Sequence, residues 1–191
     1  MTIWAAPAGA SPNRSQLEAK ALSLSNFPTG WAIDNSAFSN PATGGGCLAA
    51  IKKKVPSHDT KVRVAFANGQ LPALQEYLVA GKGAQAAYAQ INHALAKCGH
   101  FTVASGGQTI NGTVGAMSFP QEGAQSNAYA VNITVQGVNA GADLVLFRVG
   151  SMLGEVIYED LGTPDIGSVQ AYVNEAVNKV EGKPTTTPTT F

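Results

Sequence analysis

Charge is scarce in this chain. Only 13% of its residues are Asp, Glu, Lys or Arg, and twelve basic residues cancel twelve acidic ones. Ordinary soluble domains carry about 25%, so Ser, Thr, Asn, Gln, Gly and Ala must cover much of the surface. Without a positive excess to neutralise phosphates, the composition argues against nucleic-acid binding. No apolar run reaches the roughly 18 residues of a membrane-spanning helix, so no transmembrane segment is expected. The first fifteen residues lack a basic region and a sustained apolar stretch, and do not form a signal peptide as written. Local catalytic signatures are missing too: there is no G-x-S-x-G elbow, no P-loop, no G-x-G-x-x-G after a strand and no H-E-x-x-H.

Cysteine is equally sparse. Cys47 and Cys98 stand far apart, without the close pairs and neighbouring His that zinc requires, and the acidic residues do not follow a calcium-loop pattern. Neither a metal nor an organic cofactor is expected. The alternatives for the two thiols are a disulfide or two unrelated buried side chains. A disulfide is the preferred reading, because a neutral polar surface suits an exported protein and the closed loop would restrict the unfolded chain by about 4 kcal/mol. Sequons begin at Asn13, Asn111 and Asn132, a pattern that chance produces often.

What is present is a chain of 191 residues, 45% of them apolar. That suffices for one well-filled domain and excludes global disorder. Gln16 to Leu24 reads as a short helix capped by Ser15, ended by the Pro28 and Gly30 turn. Trp31–Asp34 reads as a strand, Ser39–Gly46 as loop, and Leu48–Val55 as a helical turn with Lys52–Lys54 on its solvated face. Lys61–Ala67 alternates, with Val62, Val64 and Phe66 on one side. Leu71–Ala80, entered through Pro72, reads as a further helix. In Ala84–Lys97 the residues Ala84, Ala87, Tyr88, Ile91, Leu95 and Cys98 share one helical face, with Gly99 placed for an αL stop. Cys98 therefore sits on a buried stripe, and the three glycines before Cys47 allow close backbone approach.

After this helix the character changes to β. Phe101–Ala104, Gly112–Phe119 and Tyr129–Gln136 read as strands, and Asp143–Val149 and Leu153–Glu159 flank a tight turn at Gly150 and Ser151. Gly106 and Gly107 read as a turn. Thr163 to Asp165 opens a last helix with Pro164 at its first position, running through Val180 to a stop at Gly182. Strands joined by short turns make an antiparallel sheet. The expectation is an α+β domain: one twisted antiparallel sheet with helices packed on one face. Residues 1–15 are expected to be flexible, 16–182 to form the domain, and the Pro/Thr-rich 183–191 to be a flexible tail.

Candidate chemistry is thin. His58, His93 and His100 read as surface residues. Glu155 and Glu159 share one strand face and read as a solvated edge, with Arg148 able to pair with one of them. Trp31, Tyr77, Phe147 and Tyr158 are the candidate ligand-binding residues, since small-molecule clefts favour aromatic linings. No catalytic residue is assigned.

Three stretches carry a resemblance. Leu24–Trp31 looks like an L-P-x-G-W entry; Cys47 with Gly83–Cys98 looks like a Cys to helix-Cys arrangement; Val145–Gly150, its hairpin and Asp165–Val180 look like a closing hairpin and helix. In this pattern the chain resembles the exported sensor-like domains and lipoproteins of mycobacteria and other actinobacteria, a group that includes the extracellular domain of the receptor kinase PknH. The resemblance implies an extracytoplasmic, secreted and envelope-associated location, a disulfide, and a cleft for an unidentified ligand. The kinase sensor has a second disulfide that two cysteines cannot supply, and no lipobox is present. The expected function is a non-enzymatic ligand-binding or sensing module of the actinobacterial envelope. Its partner would be a small, partly apolar molecule or an envelope lipid or glycan. The alternatives are an envelope hydrolase with a site assembled from His58, His93 or His100, and a structural or adhesion domain without a small ligand.

Overall fold

The computed structural model describes residues 11–38, 43–47, 54, 57–105, 108–135 and 138–187, with the backbone alone at 38, 43–46, 103–105, 108, 135 and 138. Its strands are β1 (Ala32–Ile33), β2 (Thr43–Gly46), β3 (Thr60–Ala67), β4 (Ala73–Ala80), β5 (His100–Ser105), β6 (Gln108–Met117), β7 (Gln125–Val135), β8 (Val138–Val149) and β9 (Met152–Leu161). Its α-helices are α1 (Arg14–Glu18), α2 (Ala84–Ala96) and α3 (Ile166–Glu181). The strands form one nine-stranded sheet in the order β1-β3-β4-β9-β8-β7-β6-β5-β2. Every adjacent pair is antiparallel. The α+β class and the single antiparallel sheet agree with the sequence.

The helices do not share one face. Strand side chains alternate between faces, and here both parities are apolar. On the first face Leu74, Leu78, Val145, Phe147, Val156 and Tyr158 pack with α1 and α3. On the second, Val79, Leu144, Leu146 and Leu153 pack with Ala84, Tyr88, Ile91 and Leu95 of α2. The expectation of helices on one face is therefore corrected to helices on both. A sheet buried on both sides needs two apolar sets per strand, and the run Leu144–Phe147 supplies them, all four residues being buried.

Several local readings also change. Leu71–Ala80 is not a helix: residues 73–80 form β4, paired with β3 on one side and β9 on the other. Gly44–Gly46, read as loop, lie in β2 against β5. The first helix is capped by Asn13, whose side chain accepts from the Gln16 N–H, rather than by Ser15. Asp165 is the cap of α3, accepting from Ser168 N–H at 2.8 Å, and Pro164 therefore precedes the helix instead of opening it. Helix α2 closes at Lys97 in the αR region, so Gly99 supplies no αL stop. Gly182 does, at φ 75°. The expected turn at 48–55 (Lys54 apart) and the Gly106–Gly107 turn lie outside the described residues.

The disulfide is present. Cys47 and Cys98 are joined with a Cα–Cα distance of 5.5 Å, fixing β2 to the end of α2. On the opposite face the 19–31 segment is held by buried polar contacts: Glu76 accepts the Leu22 N–H at 2.6 Å, and Asn26 donates to Glu175 at 2.7 Å. Beyond Gly182 the chain folds back, and the Thr186 N–H donates to the same Glu175 carboxylate.

Candidate functional site

The expected ligand residues are not gathered in one cleft. Phe147 is fully buried, and Trp31 and Tyr158 are buried with it in the core of the first face. There Phe27 sits among Trp31, Phe66 and Tyr172 at ring separations of 4.8, 4.3 and 5.0 Å, and Tyr158 stacks on Tyr172 at 5.9 Å. Desolvation, with lesser help from the Asp160 and Asp165 charges, pushes the Tyr158 phenol up to about 12. Tyr77 lies on the second face, half-buried and directly opposite Glu155.

Arg148 does not pair with the β9 acids. Its Nε donates to Gln125 Oε1 at 2.9 Å and its other end to the Gly150 carbonyl. Nor are Glu155 and Glu159 a solvated edge, since β9 lies between β4 and β8. Burial pushes the Glu155 carboxyl up to about 7 and raises Glu159, which accepts a bond from Gln75.

A groove of about 640 Å³ opens elsewhere, between α2 and the start of β7. Its helical wall is the stripe beside the buried one: Gln85, Ala89, Asn92, His93 and Ala96, with Tyr88 at the seam. Gln121, Ala124 and Gln125–Asn127 form the other wall. Two phenol–amide bonds tie the walls together. Tyr88 donates to Asn127 Oδ1 at 2.6 Å, and Tyr129 donates to Asn92, at 2.5 Å to its side-chain carbonyl and 3.1 Å to its backbone carbonyl. Burial raises both phenols, so they stay protonated donors. Ala89, Ala96 and Ala124 are small, which keeps the space open. A second hollow of about 220 Å³ shares Ser126 and Asn127 with the first and is bordered by Met117 and Phe119.

The groove has little catalytic equipment. It is lined by no carboxylate, Lys or Arg. His93 is exposed there, and the one hydroxyl of a serine, Ser126 Oγ, already accepts from the Glu122 N–H and lies 3.5 Å from the Pro120 carbonyl. His58 stands at the surface beside Asp59, and His100 begins β5, both away from the groove. No group of three metal-ligating side chains occurs among the described residues, and no described helix is long and apolar enough to cross a membrane. Sequence reasoning missed the groove because Gln85, Asn92 and His93 look like an ordinary solvated helix face. The available signal was three amide or imidazole side chains along one stripe of an alanine-rich helix.

No protein-family model matches the chain, and no curated protein matches it in sequence. Among solved structures, one crystal structure aligns over 89% of this chain and 98% of its own, with a TM-score of 0.65 and 13% identity. It is the extracellular domain of PknH from Mycobacterium tuberculosis. The chain shares its fold. The likeness to PknH is thus one of backbone architecture, at low sequence identity.

Proposed function

We propose that this chain is a non-enzymatic, extracytoplasmic ligand-binding or sensing module of an actinobacterial cell envelope, with the α2–β7 groove as its ligand site. The observation that carries the reading is the groove itself, an open polar space whose walls are fixed by Tyr88–Asn127 and Tyr129–Asn92. The fold likeness to an extracellular domain supports the location, as does the Cys47–Cys98 disulfide, since such bonds persist in oxidising compartments. The absence of a lining carboxylate favours binding over hydrolysis. A histidine base needs an orienting partner and a free nucleophile, and Ser126 is already engaged by backbone groups.

Native mass spectrometry of the chain purified from an actinobacterial host tests the proposal. The expected result is a retained small mass, one per chain, that is lost when Ala89→Trp fills the groove. Bare protein in every preparation, or ester hydrolysis abolished by His93→Ala, would overturn it.

A further inference from the structure

We infer that the α2–β7 groove takes a neutral, polyhydroxylated ligand of the saccharide class, an inference that rests on reading this groove as the ligand site. Its walls disfavour the other chemistries in turn. An anion finds no lining Lys or Arg, with His93 the one basic side chain in the wall, and a cation finds no lining carboxylate. An apolar ligand would strip water from the amides of Gln85, Asn92, Gln121 and Asn127 and return no hydrogen bonds to them, a net loss for each group covered. A peptide draws its affinity from apolar or charged anchors seated in pockets. The apolar groups lining this groove are the methyls of Ala89, Ala96 and Ala124 and the ring of Tyr88, whose hydroxyl is already bonded to Asn127.

What remains matches a sugar. A carboxamide presents a carbonyl acceptor and two N–H donors, and a sugar hydroxyl donates one bond and accepts two, so neighbouring hydroxyls can engage both ends of an amide. The structure also fixes which end is offered. Tyr88 occupies the Asn127 carbonyl, Tyr129 occupies the Asn92 carbonyl, and Arg148 occupies the Gln125 carbonyl. All three amides are thereby held with their NH₂ groups unclaimed by those bonds. Because the phenols are anchored in the core, the amides of Asn92 and Asn127 are held before any ligand arrives, which lowers the ordering cost of binding. The alanine methyls are of a size to meet the C–H patches of a pyranose ring. At about 640 Å³ the space falls in the usual range for small-ligand sites.

The test is titration of the isotopically labelled full chain, following the side-chain NH₂ resonances of Asn92, Gln125 and Asn127. The probes are maltotriose and cellotriose, inorganic phosphate, and palmitoyl-lysophosphatidylcholine. The expected result is that a trisaccharide shifts these resonances with an affinity unchanged between low and high salt, since no ion pair is made. Ala89→Trp should weaken it at least tenfold, Gln85→Ala severalfold, and Gln170→Ala on α3 not at all. Shifts produced only by phosphate or by the lysolipid would overturn the saccharide class and leave the groove as a binding site. Groove resonances that no probe moves would overturn both readings.

Discussion

Phe147 and Gly154 stand directly opposite one another across β8 and β9, and the phenyl ring lies over the bare α-carbon of the glycine. A β-carbon at position 154 would fall inside the ring. The same device recurs on the other face, where Phe101 opposes Gly112 across β5 and β6. In each pair the aromatic residue fills the hole that the glycine leaves, and the glycine supplies the only side chain small enough for the ring to lie flat.

Gly154→Ala should therefore cost about 1–3 kcal/mol or more, the usual range for forcing extra atoms into a packed core. Gly112→Ala should do the same, since its new carbon would meet both the Phe101 ring and, at 2.9 Å, the Asn132 carbonyl. Gly115→Ala in β6 has nothing within 4 Å and serves as the neutral comparison. Urea unfolding of the three variants checks the ranking; equal midpoints would refute it.

Stability should fall as pH rises. Burial pushes the Glu76 carboxyl from 4.5 up to about 7, against the opposing pull of the Leu22 N–H and the Lys179 charge. The folded protein thus holds a proton that the unfolded chain releases near pH 4.5. Its stabilising effect is complete below that pH and is lost as pH climbs towards 7, a change of roughly 3 kcal/mol at most. Glu155 works in the same direction. Glu76→Gln is expected to flatten the slope between pH 5 and 8 and to raise stability at pH 8. An unchanged slope in that variant counts against the assignment.

The Cys47–Cys98 bond closes a loop holding β3, β4 and all of α2. Removing it by a double Cys→Ala substitution should cost about 4 kcal/mol on loop entropy. That is a large share of a typical 5–15 kcal/mol. Thiol labelling of unfolded, non-reduced protein from an oxidising compartment should find no reactive group. Two labelled thiols per chain would remove both the bond and the export reading.

Asn26 holds the N-terminal segment down. Besides donating to Glu175, its carbonyl accepts from the Ser23 N–H and hydroxyl at 2.9 Å and from Lys179 at 3.2 Å. Asn26→Ala leaves a buried carboxylate with one bond, from Thr186, and should cost about 2–4 kcal/mol. Trypsin should then cut at Lys20 much faster than in the parent while the sheet stays intact. Unaltered cleavage there would show that the segment is anchored by its apolar residues alone.

How much of this was legible depends on burial. Lys61–Ala67, Tyr129–Gln136 and the Gly150 turn declared themselves by alternation and turn chemistry, and α2 and α3 by their apolar stripes. Strand β4 did not, because Leu71, Leu74 and Leu78 also fit a helical spacing and only pairing with both β3 and β9 decides between the two. Which face each helix covers was hidden for a related reason. When Leu144, Val145, Leu146 and Phe147 are all buried, alternation no longer distinguishes inside from outside. The groove was obscured because an amide held by a buried phenol and one in open water look alike in sequence. Trp31 and Tyr158 were legible as aromatic, but not as members of a closed cluster around Phe27 and Tyr172.

The place of β4 bears on how the chain is made. It is an interior strand, yet its second neighbour, β9, is the last strand of this sheet in chain order. Until β9 arrives, β4 presents an unpaired edge carrying Leu74, Leu78 and Val79, the kind of template that recruits strands from other molecules. Assembly must wait for the whole meander, and α3 then seals the first face. A nascent copy is thus most vulnerable to self-association at β4, and whatever keeps it soluble in that interval must shield this edge.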